Sequence, residues 1–476
     1  MRRTIIQICL GITLISLLVT GCVGTSEISK TKLKHLPENY SGTKDSTNAA
    51  SENWKNYFSD PVLIGLIDTA LNNNLDVLMA AQKIEVARAN VRYSKGLAYP
   101  NISAFGTLGQ QRFGDYTMNA AGNRGTTIYN NQPVPQDLRD FTIGLESSWE
   151  VDFWSKLKNT RKGAVAQYLS SVEGKNWTVT NMVSEIASGY YELLALDNEL
   201  DIIQESIQLQ DSALRVVNIQ KQVGVVNELA VKQFEAQVLS SKKMEIDVRQ
   251  KISETENRLN FILGRYPQSI ARNKSVFAHL VPPRIKVGIP TDLLVNRPDV
   301  KQAEYDLMNA KANVKIAKAA FYPTLTISGS ISKDAFKTSL LFKPESFAYN
   351  VLGNLVAPII NRSAIKAQFK TATANQIEAL FNYQKTILNS YIEVYNEMVN
   401  LKSVEQALDL KSREVAALNL AVNSSNQLFK TGRANYLEVL TVQANVLQSK
   451  IELVETMKDQ YTSVVSIYKA LGGGWK

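Results

Sequence analysis

Between Pro135 and Pro267 the chain contains no proline, and after Pro358 it contains none to its C-terminus. Proline breaks helices, so these gaps, and a shorter one from Pro61 to Pro100, are where long helices fit. Within the first gap apolar residues recur at spacings of three and four. The series is Ile186, Tyr190, Leu193, Leu200, Ile203, Ile207, Leu214 and Val217, with Asp197 and Gln210 at the interrupted steps. That is a coiled-coil-like period. Running from Lys156 to Val223, it predicts one helix about 100 Å long at roughly 1.5 Å per residue. No compact soluble domain has a core that wide, so such a helix is either a stalk or a wall.

The segment just before it has a different period. In Phe141–Phe153, Phe141, Ile143, Leu145, Trp149, Val151 and Phe153 alternate with Thr142, Glu146, Ser148, Glu150 and Asp152. A strand sends successive side chains to opposite faces, so this one has an apolar wall and an acidic, wet wall. It is longer than the usual soluble strand of about 5–6 residues, and about 9–11 tilted residues span a bilayer. The pattern fits a transmembrane barrel strand with lipid outside and water inside. On its own it also fits a long strand of a soluble sandwich.

The chain reads as two copies of one unit. Ala89–Ser103 (ANVRYSKGLAYPNIS) matches Ala312–Thr326 (ANVKIAKAAFYPTLT) at an offset of 223. Further on, Gly224, Asn227, Leu229 and Val231 match Gly432, Asn435, Leu437 and Val439, and Leu263-Gly264 matches Leu471-Gly472, all at an offset of 208. The first copy therefore holds about 15 extra residues, and the stretch rich in Gly, Asn, Gln and Pro at 113–137, read as an exposed loop, is the place for them. Each copy reads helix, strand pair, long helix, turn, helix. The strand pairs are expected near 99–113 with 138–154 and near 321–334 with 345–360. Repeat 1 spans 60–265, a proline-bearing connector 266–292, and repeat 2 spans 293–476. Asp60-Pro61 and Arg297-Pro298-Asp299 read as helix starts, with capping as the full explanation of those residues. Four strands cannot close a barrel, since the smallest membrane barrels use about eight. Strands in lipid with open edges would leave backbone groups unpaired, so a transmembrane reading itself predicts an oligomer.

Arg2 and Arg3 precede the apolar run Ile5–Val19, followed by Val19-Thr20-Gly21-Cys22. This reads as a secretory signal over residues 1–21. The small residues before Cys22 resemble a bacterial lipobox, which implies cleavage there and lipidation, including palmitate, of Cys22. Residues 22–59 are then a lipid-anchored segment, and Val23 in place of Asp favours the outer membrane. Without Cys9 the mature chain carries one cysteine, and with only His35 and His279 a Cys/His zinc site is excluded. No acid–base or nucleophile constellation points to an enzyme. The net charge of +9 is spread along helices among Glu and Asp, so the cations read as solvated faces and not as a nucleic-acid stripe. No metal or other cofactor is expected. The Gly-rich tail Gly472–Gly474 lacks the Lys and Ser/Thr of a phosphate-binding loop.

With these elements in order, several stretches resemble the outer-membrane efflux factors of the TolC and OprM type, and more closely their lipoprotein branch. They are NWKNYFSDPVLIGLIDTALNNN (Asn53–Asn74), SWEVDFW (Ser148–Trp154), LLVNRPDVKQAE (Leu293–Glu304), AAFYPTLTISGS (Ala319–Ser330), VAPIIN (Val356–Asn361) and YKALGGGW (Tyr468–Trp475). The resemblance covers nearly all of the mature chain. It implies a mixed α+β membrane protein: a homotrimer whose four strands per chain close a 12-stranded β-barrel, continued by a long α-helical barrel across the periplasm. It also implies helix–turn–helix tips that open on docking with a periplasmic adaptor and an inner-membrane pump, here of the proton-driven class.

Val223, Gly224, Val225, Val226 and Asn227 resemble the first tip, and Gly432, Arg433 and Asn435 belong to the second. The family acid six residues after each glycine is Glu438 in the second tip, but Ala230 in the first, with Glu228 nearby. Thr441 stands where members often carry an Asp. Glu438, Thr441 and Glu228 are the candidate gate residues, and Glu146, Glu150 and Asp152 the candidate lumen residues. The competing readings are a duct for protein or peptide secretion and a periplasmic coiled-coil lipoprotein with no pore. Drugs, metal ions and polypeptides remain open as cargo.

Overall fold

The computed structural model describes residues 52–128, 131–274, 287–360 and 362–476, together with Pro37, Tyr40 and Phe277. The expected signal segment, Cys22, His35 and His279 lie outside the described residues. Helices α1 (Trp54–Tyr57), α2 (Pro61–Asn73) and α3 (Leu75–Gly96) lead into strand β1 (Asn101–Arg112). A loop carries a short helix α4 (Met118–Arg124) and a two-stranded hairpin, β2 (Thr127–Ile128) with β3 (Gln132–Pro133). Strand β4 (Asp137–Val151), helix α5 (Lys156–Gln222) and helix α6 (Glu228–Ile262) complete the first half. The second half runs α7 (Leu293–Asn296), α8 (Pro298–Ala319), β5 (Thr324–Ala335), β6 (Phe347–Val356), α9 (Arg362–Lys430) and α10 (Tyr436–Ala470). The long helix, the four long strands and the order of elements in each half fall where the sequence periods put them. The exception is the stretch at 113–137, expected as a plain loop. It folds on itself because Thr117 caps α4, its hydroxyl accepting from the Ala120 N–H, and Arg124 pairs with Asp115 at 2.5 Å.

β1, β4, β5 and β6 form one antiparallel sheet in that order. The two centre strands come from different halves and pair from Phe141↔Ala335 to Val151↔Leu325. β1 and β6 are the sheet's edges, each with one neighbour.

The helical part buries its apolar series around the middle of the bundle. Ile186, Tyr190, Leu193 and Leu194 of α5 pack with Leu63 and Ile67 of α2 and with Val464, Ile467 and Tyr468 of α10. Tyr40 is fully buried in the same cluster and stacks on Tyr391, centroids 5.3 Å apart, while Tyr57 stacks on Tyr468 at 3.9 Å. Tyr40, Leu63 and Ile67 thus share one core with the last helix. The two polar interruptions in the α5 series are explained here. Asp197 turns to Arg272, and the buried Gln210 donates to Ser206 Oγ at 3.0 Å.

Two expectations need correction. Capping does not exhaust Asp60 or Arg297. The Asp60 carboxylate caps α2 through the Val62 N–H at 2.8 Å and also accepts from the Tyr190 hydroxyl at 2.7 Å. Arg297 is 1% exposed. Its guanidinium forks onto Asp299 at 3.0 and 2.8 Å, donates to Glu393 at 2.7 Å and to the Ala470 carbonyl at 2.6 Å, and lies over the Trp177 ring. A buried charge needs such a full set of partners. The second correction is that not every cation is a solvated face. Arg272, in the connector, is held between Asp197 at 2.6 Å and Glu256 at 2.5 Å, with side chains 12–18% exposed.

Candidate functional site

Register sorts the sheet's side chains into two faces. One carries Ile102 and Leu108 of β1, Phe141, Ile143, Leu145, Trp149 and Val151 of β4, Leu325, Ile327 and Ile331 of β5, and Tyr349, Val351 and Leu355 of β6. Many of these stand bare, including Leu108 (74%), Tyr349 (75%) and Val351 (76%). A contiguous apolar face of this extent is a surface made for an apolar neighbour. The other face carries Ser103, Thr107, Thr142, Ser148, Thr326, Ser328, Ser330, Ser332, Asn350 and Asn354, with Phe105, Leu138, Ala348, Leu352 and Val356 as apolar exceptions. At the end of the sheet next to the helices, the Trp149 indole donates to the Ala98 carbonyl at 3.1 Å. The Trp154 indole donates to Pro323 at 2.7 Å and stacks on Tyr322. Indoles held where strands meet helices fit the pattern of an aromatic belt.

The three acids expected on the wet wall have different surroundings. Glu146 lies on the polar face in a row with Ser103, Ser330 and Asn350, and accepts from the Ser103 hydroxyl at 3.3 Å. Glu150 is paired with Lys156 at 3.0 Å. Asp152 lies past the strand end, and its two carboxylate oxygens accept from the N–H groups of Leu157 and Lys158 at 2.9 and 2.8 Å. It caps α5, which Ser155, left-handed at φ 56°, does not do with its own side chain. Of the three, only Glu146 has no charged or capping partner among the described residues.

The two turns at the far end of the bundle are built alike. Gly224 has φ 76° and Gly432 φ 70°. In each, the residue after the glycine bonds back to the last turn of the helix: Val225 N–H to Gln220 at 2.9 Å and Arg433 N–H to Leu428 at 2.8 Å. This is the left-handed helix stop that glycine makes. The following Asn then opens the next helix, Asn227 accepting from the Ala230 N–H at 3.2 Å and Asn435 from the Glu438 N–H at 3.0 Å. The turns are brought side by side by one apolar cluster, in which Val217, Ala230, Val231 and Phe234 meet Leu440, Tyr436 and Phe429, with Val226 packed against it.

The candidate gate residues divide accordingly. Ala230 is fully buried in that cluster, so an acid there would be buried in this chain. Glu228 is ion-paired with Lys221, and Glu438 accepts from Asn435 Nδ2 at 3.0 Å while staying exposed. The Thr441 hydroxyl donates to the Leu437 carbonyl at 2.9 Å. Val223 and Val225 are exposed at the tip. Sequence reasoning missed the clamps of Arg297 and Arg272 further up the bundle. Their signal was an arginine beside a proline or in a connector, which says nothing by itself of burial.

Among the described residues no group of His, Cys, Asp and Glu has the arrangement to hold a metal, and no helix is long and apolar enough to cross a membrane. A family model described as outer membrane efflux protein matches residues 66–265 and 289–473. The probable outer membrane lipoprotein SilC of Salmonella typhimurium is 28% identical over 465 residues, 96% of this chain and 97% of its own. The cation efflux system protein CusC of Escherichia coli K12 is 28% identical over 469 residues, 97% of this chain and 98% of its own. A crystal structure of CusC matches with a TM-score of 0.80 and 26% sequence identity, covering 92% of this chain and 97% of that one.

Proposed function

The chain belongs to the outer membrane efflux protein family, and from that premise we propose that three copies assemble into the passive exit duct of an export system. It is the outer-membrane channel component of a tripartite efflux pump. The observation that carries the assembly is the sheet: four long strands with a bare apolar face and two open edges, β1 and β6, call for further copies, and the number three is what the family resemblance implies. Such edges do not persist in lipid. Pairing β6 of one copy with β1 of the next three times round closes a 12-stranded barrel with no edge left. Two tandem units per chain, each giving one strand pair and one helix hairpin, account for the recurring element order.

In this assembly the apolar face meets lipid and the polar face lines water, with Glu146 of each copy in the lumen. The helices extend the duct through the periplasm, and lipid on Cys22 anchors each copy to the outer membrane. The tips around Gly224 and Gly432 receive the periplasmic adaptor, and exposed Glu438 is the gate acid. The duct catalyses nothing and holds no cofactor; an inner-membrane, proton-driven pump supplies the energy.

The test is accumulation of a panel of metal cations, dyes and antibiotics in cells with and without the gene, repeated with a proton uncoupler. The relative CusC is named for cation efflux, so metal cations head the panel. Higher accumulation in the deletion, erased by the uncoupler, is the expected result. No difference for any compound, together with no conductance from the purified protein in a planar bilayer, would overturn the reading.

A further inference from the structure

The two faces of the sheet differ in charge at the end away from the helices. Arg139 and Asp140 are neighbours on β4, and Lys333 and Asp334 are neighbours on β5. Alternation puts both cations on the apolar face and both acids on the polar face. Arg112 joins the cations, since register places it on the same face as Arg139, one pair further along β1, where its register partner Asp137 is an acid on that face, so three cations there stand against one acid.

Height supports a headgroup level for this rim. Arg139 lies ten residues from Trp149 along β4. At about 3.4 Å per residue and a tilt near 40°, the rise is roughly 26 Å, against an apolar band about 25 Å tall. With the Trp149 and Trp154 indoles at one boundary, Arg139 stands at the other.

The three cations are held differently. Arg112 reaches Asp137 at 3.9 Å and donates to Gln136 at 3.1 Å. The Lys333 ammonium donates to the Phe342 and Lys343 carbonyls at 3.0 and 3.2 Å, so it is turned toward the loop. Among the described residues the exposed Arg139 guanidinium has no hydrogen-bond or ion-pair partner. A planar fork of donors left open at that height matches a phosphate.

We propose that Arg112, Arg139 and Lys333 form a cationic rim that binds the phosphates of lipid headgroups in the outer leaflet, with Arg139 as the principal ligand. This rests on the barrel reading above. The acids on the opposite face keep the same charge out of the lumen, so one strand end attracts anionic lipid outside while remaining acidic inside.

The experiment uses the full chain reconstituted into bilayer nanodiscs. A bisphosphorylated diglucosamine lipid, or the same lipid without phosphates, is added, and retained lipid is counted by native mass spectrometry. The native chain is expected to retain the phosphorylated lipid about tenfold better, R112Q/R139Q to lose that preference, and D140N on the other face to keep it. Heat-modifiable migration of each variant reports that the barrel has formed. Equal retention of the two lipids by the native chain, or an unchanged preference in R112Q/R139Q, overturns the rim. Displacement of the lipid by millimolar inorganic phosphate would make this a small-anion site and overturn the lipid assignment. A native chain that inserts without discriminating sinks only the rim; one that never inserts sinks the barrel reading too.

Discussion

Arg297 donates from its guanidinium to the carbonyl oxygen of Ala470 at 2.6 Å. In the first half of the chain Asn74 makes the corresponding bond, from Nδ2 to Ile262 at 2.8 Å. Asn74 and Arg297 are 223 residues apart and their acceptors 208, the offsets of the sequence match itself. In both places the residue that opens a short-side helix holds the last carbonyls of the helix returning from the tip. The amide does this alone, whereas the guanidinium also gathers Asp299 and Glu393. Burial acts against the Arg297 charge, and these two carboxylates hold its pKa above the ordinary arginine value.

Arg297→Met should therefore destabilise the chain by about 3–5 kcal/mol, because it strands two carboxylates near a buried site. Arg297→Lys should recover only part of this, since one ammonium cannot reproduce the fork on Asp299 together with the two other bonds. Unfolding midpoints of the detergent-solubilised protein measure both. A midpoint for Arg297→Met equal to the native one would refute the clamp.

The glycines at the four helix ends should rank by their surroundings. Gly264 and Gly472 have φ of 67° and 91°, and a methyl added there would lie 2.4 Å from the Asn73 carbonyl oxygen and 2.6 Å from that of Asn296. Gly224 and Gly432 also have positive φ, but a methyl there would meet nothing within 4 Å. Gly224→Ala and Gly432→Ala should cost about 1–2 kcal/mol each, the left-handed backbone strain alone. Gly264→Ala and Gly472→Ala should cost clearly more and lower the yield of assembled protein. Thermal midpoints of the four variants in parallel decide the order.

Glu199, half-buried in the helical part, has its pKa raised by burial first, with Glu455 adding to the shift and Lys251 and Lys458 opposing it. A carboxyl with a raised folded pKa binds its proton more tightly in the folded state. Its charge then weighs against folding as pH rises from the ordinary Glu value of about 4.3 through the folded value. Glu199→Gln should thus be more stable than the native chain at neutral pH. The gap should close on acidification toward the ordinary value. Denaturant titrations at a series of pH values would show it, and a gap that widens on acidification would reverse the assignment.

Glu146 and Asp152 should separate by readout. Glu146→Gln should lower the preference for cations over anions in single-channel recordings while leaving stability nearly unchanged. Asp152→Ala should leave selectivity nearly unchanged and cost about 0.5–2 kcal/mol, the usual effect of losing a helix cap. If Asp152→Ala shifts selectivity as much as Glu146→Gln, the capping role is not its main one.

Much of this was legible in the residues because helices and strands have periods. The α5 series and the β4 alternation each mark a face, and a face fixes how an element packs. The glycine turns were legible because few residues accept positive φ. Burial of charge was not. Nothing in Asn296-Arg297-Pro298-Asp299 says that Trp177, Glu393 and Ala470, more than a hundred residues away in α5 or about that distance and more toward the C-terminus, will enclose the guanidinium. Nor could the alternation tell Asp152 from Glu146. Both fall on the wet side of the pattern, and only the strand's end after Val151 turns the Asp152 carboxylate toward a helix.

The empty space around Gly224 and Gly432 has a consequence for how such a molecule changes over time. The helix stops at the tip ask only for a backbone angle, whereas those at Gly264 and Gly472 are wedged against Asn73 and Asn296. Side chains beside the tip glycines, such as exposed Val223, Val225 and Arg433, can be exchanged without disturbing anything that holds the bundle together. The end proposed to meet another protein is thus free to drift with it, and the end of each helix pair near the core is held to one solution.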